Sequence, residues 1–181
     1  MRTPDIFWRL SPVCADARLR PWLVDRGSLT RRIQMRCTTF RLNVLSQRMA
    51  RARHDEFAVI GAPAGARCVE REVSLHCGSR PLVFAHSVVA PRALQGAWRL
   101  LSALGARPLG AALFADPRIK RYPLRFRQLN GADALYRRAC GLLEEAPRWL
   151  WARRSLFVLH GSPLLVTEVF LPAILALSPC R

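Results

Sequence analysis

Trp151-Ala-Arg-Arg-Ser-Leu-Phe-Val-Leu-His-Gly-Ser-Pro-Leu-Leu-Val-Thr-Glu-Val-Phe-Leu-Pro172 reads as two strands folded back on each other. Residues 155–159 form the first run, His160 to Pro163 supply the turn residues, and residues 164–171 form the second. The second run is apolar on both faces except for Thr167 and Glu168, the pattern of a central strand covered on both sides. Residues 156–177 are the most apolar part of the chain, but His160, Gly161, Ser162, Pro163 and Glu168 interrupt them short of the roughly 20 clean residues of a membrane span. They are therefore expected to be core strands.

Working outward, residues 69–76 and 82–89 form a second hairpin joined by Cys77-Gly78-Ser79-Arg80-Pro81. Residues 39–46 alternate, with Phe40, Leu42 and Val44 on one side, which suits a half-buried strand. Between the strands lie helical signals. Residues 20–34 read as two helices separated at Arg26-Gly27, with Ser28 placed to cap the second. Residues 55–61 read as a helical turn ending at Gly61. Residues 91–104 set Leu94, Trp98, Leu101 and Leu104 on one stripe before Gly105, and residues 108–114 start a short helix at Pro108. Residues 116–147 are charged and irregular, with a helix expected over 132–145. Hairpin strands separated by helices, rather than alternating strictly with them, predict an α+β fold: a single antiparallel β-sheet with helices packed against it. No repeat or linker divides residues 1–181, so one domain is expected.

At 181 residues and 51% hydrophobic content the chain can bury a core without staples. Its six cysteines are scattered, with no Cys-x-x-Cys pair and no histidine at metal-ligand spacing, so neither zinc nor a disulfide framework is indicated. A reduced, cytoplasmic compartment is the simpler expectation. The N-terminus, Met1-Arg-Thr-Pro-Asp-Ile-Phe-Trp-Arg9, lacks the apolar stretch of a secretory signal. The formal net charge of +17 would attract anions, either nucleic acid or a small polyanion. The basic residues are spread along the chain rather than gathered, which favours a solvated basic surface over a nucleic-acid interface.

Two charges stand where the pattern calls for apolar residues. In residues 69–76, Arg71 shares a face with Val69, Val73 and Leu75, while Glu70, Glu72, Ser74 and His76 take the other. A buried guanidinium cannot neutralise itself, and a carboxylate held bidentately is its best partner. Glu168, on the central strand, has no local reason for burial, and buried carboxylates tend toward a raised pKa or a tight polar partner. Arg71 and Glu168 either pair as a core salt bridge or face a ligand; the pattern weighs the two alike. The four histidines form no spaced pair, and there is no nucleophile elbow, P-loop or dinucleotide fingerprint. Nothing asks for a cofactor or a metal.

The same positions carry a resemblance. Trp22-Leu23, Gly27-Ser28-Leu29-Thr30, Arg71-Glu72-Val73, Ser87-Val88-Val89 ahead of Pro91, Pro108-Leu109-Gly110 leading to Leu113-Phe114, Trp151-Ala-Arg-Arg-Ser155 and Pro163-Leu-Leu-Val-Thr-Glu-Val-Phe-Leu-Pro172 occur in order. The set resembles the chorismate pyruvate-lyase (4-hydroxybenzoate synthase) family over about residues 21–172. The resemblance implies a cofactor-independent lyase that converts chorismate to 4-hydroxybenzoate and pyruvate, toward ubiquinone. By the same resemblance Arg71 and the main-chain N–H groups of Leu29 and Leu109 hold the ring carboxylate, and Glu168 meets the hydroxyl at the other end of the ring. Arg71 and Glu168 are then the catalytic candidates, and Leu29, Arg71, Leu109 and Glu168 the binding ones. Leu29 and Leu109 fall at predicted helix starts, where free N–H groups favour anions. A monomer acting on a small molecule is expected, with no nucleic acid and no stable membrane insertion.

Two rival readings come from other classes. A non-catalytic effector-binding module of similar architecture would follow a DNA-binding helix-turn-helix, and only about 20 residues precede the first matched block. A basic nucleic-acid-binding protein would interleave clustered basic residues with exposed aromatics, whereas the five tryptophans sit mostly in apolar surroundings.

Overall fold

In the computed structural model, which describes residues 7–105 and 107–177, the terminal hairpin occupies the middle of the sheet. Strands β6 (Leu150–Leu159) and β7 (Ser162–Phe170) are joined through His160 and Gly161, both at positive φ, the turn geometry that matches the twist of paired strands. The far edge of β7 pairs with β3 (Arg80–Val89). Next to it lie β2 (Arg67–Cys77) and then β1 (Phe40–Arg51). On the other side of β6, β4 (Lys120–Arg121) and β5 (Arg125–Leu129) share its edge. Every pairing is antiparallel, and the fold is α+β.

One face of the sheet is covered by α1 (Arg20–Val24), α2 (Leu29–Gln34) and α4 (Leu109–Ala115), the other by α5 (Ala134–Cys140). Strand alternation sorts the residues between two cores. Val73, Leu75, Val83 and Phe170 join Leu23, Leu29 and Ile33 on the first face, and Phe84, Ala152 and Val169 join Leu135, Tyr136 and Ala139 on the second. Ser28 caps α2 as its sequence position predicts, its Oγ accepting from Arg31 N at 3.3 Å.

Several elements differ from expectation. The stripe over residues 91–104 is not one helix: α3 (Pro91–Leu94) gives way at Gln95-Gly96 to a 3₁₀ turn, Arg99–Ala103. Trp98 decides the break, since its fully buried indole donates to Ser162 O at 2.9 Å while Leu101 and Leu104 stay buried beside it. The helix expected over 132–145 is the seven-residue α5. Strands β4 and β5 lie in the stretch read as irregular. Strand β1 runs on to Arg51 and buries no residue fully, as an edge strand can. Residues 156–177 are strand and 3₁₀ turn, and no helix among the described residues is long and apolar enough to cross a membrane. The expectation for the N-terminus concerns in part residues 1–6, which lie outside the described residues.

The reading of the cysteines is corrected. Cys37 and Cys77 form a disulfide across a separation of 40 residues. Phe40 pairs with Cys77 at the end of the β1–β2 ladder, so the chain three residues earlier is brought beside the β2–β3 turn. Sequence spacing carries no trace of that proximity. The expectation of a solvated basic surface is likewise only partial, because Arg71, Arg153 and Arg154 are buried inside the fold.

Candidate active site

A pocket lies between the first face of the sheet and the starts of α2 and α4. Its floor is a grid set by strand register. Arg71, Ser87, Val166 and Ser155 are successive cross-strand partners on β2, β3, β7 and β6, forming one row; Val73, Ala85, Glu168 and Arg153 form the next. All eight line the pocket. Its roof is Leu29 and Thr30 from α2 and Leu109, Gly110 and Leu113 from α4. The two helix starts approach closely at Gly110, where a Cβ would meet Ser28 Oγ at 3.1 Å and Thr30 Oγ1 at 3.5 Å.

Arg71 is 7% exposed. Its Nη2 donates to the carbonyls of Gly105 at 2.9 Å and Arg107 at 3.3 Å, and its Nε is buried without a partner. No carboxylate pairs with it among the described residues, and burial alone pulls its pKa down. A guanidinium held this way against a cavity has the chemistry to receive an anion.

Glu168 does not pair with Arg71. The two sit in different rows on strands separated by β3, about 10 Å apart by the spacing of neighbouring strands. Instead Arg153, its register partner and 1% exposed, donates from Nε to Glu168 Oε2 at 2.6 Å. Arg153 is itself anchored, because its Nη1 donates to the carbonyls of Trp22, Leu23 and Asp25 at 2.7–3.1 Å, at the end of α1. Those carbonyls lack helical partners, so one side chain caps a helix and holds the pocket's carboxylate. The salt bridge weighed between Arg71 and Glu168 is thus replaced by Arg153–Glu168, and Arg71 is left without a carboxylate partner among the described residues.

Arg121 also lines the pocket, from β4. Both its Nε and Nη2 donate to Ser155 Oγ, at 3.1 and 2.9 Å, its Nη1 donates to Arg26 O, and its guanidinium lies over the rings of Phe114 and Phe157 at 5.2 and 5.4 Å. Burial, and then repulsion from Arg153, brings its pKa down to about 10. Neither Arg121 nor Arg153 stood out in the sequence pattern. Arg153 lies in the Trp151-Ala-Arg-Arg-Ser155 block, and its placement on the pocket face of β6 was a signal available from alternation.

The opposite face of β2 and β3 is not the polar surface its sequence resembles. Glu56, Glu70, Glu72 and His86 are buried there. His86 Nδ1 lies 3.0 Å from Glu72 Oε1 and its Nε2 3.1 Å from Glu56 Oε1, with Arg53 Nη1 2.7 Å from Nε2. Arg48 and Arg138 bind Glu70, and Arg138 also binds Glu72. Glu70, Glu72 and His86 bring ligand-type atoms within 4.8 Å of one another, but three guanidiniums already balance the three glutamates, so this set does not fit a cation. Burial pushes Glu56 and Glu72 up, but hydrogen bonds from His86 and the charges around them outweigh it and hold both at about 2. Burial alone would push His86 down; its bonds to the two glutamates reverse this and raise its pKa.

Solved structures share this architecture. The ligand-binding domain of a GntR-family transcriptional regulator from Bordetella bronchiseptica superposes with a TM-score of 0.50 at 20% identity, covering 74% of this chain and 84% of that one. A GntR-family regulator from Bacillus cereus gives 0.55 at 10% identity, covering 79% and 99%. At such identity the likeness concerns the fold alone. Sequence relatives are nearer. Proteins named "probable chorismate pyruvate-lyase" from Nitrosospira multiformis and Aromatoleum aromaticum are 50% and 53% identical to this chain, over 94% and 89% of it and 96% and 88% of their own lengths. The family model described as chorismate lyase matches residues 10–177, a span that takes in both rows of the pocket floor and both helix starts above it. The chain therefore belongs to the chorismate lyase family.

Proposed function

We propose that this protein eliminates pyruvate from chorismate to leave 4-hydroxybenzoate, supplying the aromatic ring for ubiquinone, and that the pocket over β2, β3, β7 and β6 is where it does so. The observation that carries the reading is the buried Arg71, whose Nε is unpartnered and with which no carboxylate pairs among the described residues, so that it calls for a carboxylate. The ring carboxylate of chorismate meets Arg71 and the main-chain N–H groups at Leu29 and Leu109. The hydroxyl across the ring then lies toward Glu168, and the ring packs between Val73, Val166 and Leu113.

In the reaction the ether C–O bond at C3 breaks, the hydrogen on C4 leaves as a proton, and the departing enolpyruvate takes up a proton to become pyruvate. Aromatisation drives the change, and its balance requires no oxidant or reductant, which supports a cofactor-independent reaction. Arg71 fixes the ring, the apolar walls exclude water, and Glu168 donates a proton, accepts one or orients the hydroxyl. Relatives at about 50% identity bear the lyase name, whereas the GntR-family regulators share only the fold. We place the reaction in the cytoplasm on substrate chemistry, since a dianion crosses membranes poorly. The cysteine argument for that compartment is weakened by the Cys37–Cys77 bridge.

Purified protein mixed with chorismate, without added metal or nucleotide, is expected to release pyruvate and 4-hydroxybenzoate in equal amounts. Absence of either product overturns the lyase reading.

A further inference from the structure

Three guanidiniums, those of Arg71, Arg121 and Arg153, line the pocket against the single carboxylate of Glu168. Arg153 and Glu168 neutralise each other at 2.6 Å. Arg71 and Arg121 are left without an ion pair among the described residues. They approach the cavity from opposite ends of the same row. Arg71 begins it on β2, and Ser155, whose Oγ takes two of Arg121's N–H groups, ends it on β6. Three strand spacings put those ends about 14 Å apart at the backbone, and both arginine side chains reach inward over that distance.

Building on the lyase reading, we propose that Arg121, steadied by Ser155, is the binding group for a second carboxylate, the one on the enolpyruvyl ether. With the ring carboxylate on Arg71 and the hydroxyl carbon toward Glu168, the ether carbon next to it directs the enolpyruvyl arm to the Glu168–Arg153–Ser155 end, where Arg121 stands. The pocket's surplus of two positive charges matches a dianion with one guanidinium for each carboxylate. Phe114 and Phe157 flank the Arg121 guanidinium, leaving its hydrogen-bonding edge for Ser155, Arg26 and the ligand. When the ether bond breaks, the second carboxylate leaves with pyruvate. Arg121 therefore discriminates substrate from product, while Arg71 grips both.

The test separates the two ends with two ligands. For Arg121→Gln, the KM for chorismate is expected to rise about tenfold or more while the Kd for 4-hydroxybenzoate, which has one carboxylate, changes less than about twofold; Arg121→Lys should recover part of the loss. Equal weakening of both ligands, or an unchanged chorismate KM, overturns the assignment. Direct binding of 3-[(1-carboxyvinyl)oxy]benzoate and of benzoate to the unaltered protein and to Arg121→Lys provides a measurement independent of turnover. Only the dicarboxylate should weaken in the variant, and parallel behaviour of the two ligands counts against Arg121 even if Arg121→Gln fails to fold. A protein that binds the dicarboxylate through Arg121 but releases no pyruvate would retain this inference and lose the lyase reading.

Discussion

Arg153 and Glu168 stand opposite each other on β6 and β7, and one guanidinium both satisfies that carboxylate and closes the end of α1 through the carbonyls of Trp22, Leu23 and Asp25. Its two roles separate on mutation. Arg153→Met strands a largely buried carboxylate and three carbonyls, and is expected to lower the unfolding free energy by about 3–5 kcal/mol, read from urea midpoints. Glu168→Gln leaves the carbonyl bonds in place and should cost much less stability. It should nevertheless slow pyruvate release by about 100-fold or more, since proton movement or hydroxyl orientation depends on the carboxylate. Comparable destabilisation by both substitutions would mean that the ion pair, not the helix closure, is what Arg153 contributes.

Arg71 should reveal itself through ligand-induced stabilisation. 4-Hydroxybenzoate at saturating concentration raises the melting temperature of the wild-type protein, because it binds only the folded chain. Arg71→Ala is expected to weaken its binding by between about 10- and 100-fold and to reduce the thermal shift accordingly. A variant with an undiminished shift would place the ring carboxylate elsewhere.

Stability should depend on pH through the buried network behind the pocket. His86 has a raised pKa in the fold, so its contribution is complete below its ordinary value of 6.5 and is lost as pH climbs through the higher folded value. Glu56 and Glu72 are held at about 2, so theirs is complete above the ordinary 4.5 and is lost as pH falls toward 2. Unfolding free energy should therefore be greatest between pH 4.5 and 6.5. His86→Gln should flatten the alkaline decline and spare the acid one. Arg53, beside His86 Nε2, opposes protonation of the ring, so Arg53→Gln should shift the alkaline limb to higher pH. Measurement across pH 3 to 9 checks both signs, and an alkaline limb that survives in His86→Gln would assign it to other groups.

Reduction should also register. Opening Cys37–Cys77 frees a 40-residue loop in the unfolded chain and is expected to cost about 2–4 kcal/mol. Urea unfolding with and without dithiothreitol, repeated on Cys77→Ser, checks it. A reductant effect that persists in Cys77→Ser would point to other thiols.

The legible parts of the fold were those written in short-range patterns. The two hairpins, the capped start at Ser28 and the central position of residues 164–171 all follow from alternation, turn residues and capping, each settled within a few neighbours. The break at Gln95-Gly96 was hidden because Trp98 answers to Ser162, 64 residues away. Strand β5 was hidden because Arg125 and Arg127 gave its alternation the look of a charged loop, although Phe126 and Leu129 are buried. Arg71 and Glu168 were conspicuous as charges among apolar residues. Arg121 was invisible for the opposite reason, lying in a charged stretch where one more arginine draws no notice. The burial of the other side of β2 was not legible because Glu70 and Glu72 mimic a solvent face, and their cover comes from Arg138 on α5 and from the 53–61 turn.

The alternation along β2 also acts as a check on assembly. Glu70, Arg71 and Glu72 point alternately to a face rich in guanidiniums around an anion pocket and to a face where glutamates meet arginines and a histidine. A slip of one residue in the pairing of β2 with β3 would turn two carboxylates into the cavity proposed to take the substrate's own carboxylate. It would also drive Arg71 into the back layer, in place of the glutamates that balance its arginines. Hydrophobic residues on both faces would tolerate that slip better than these charges do. The electrostatics of the site thereby proofread the strand register that creates it.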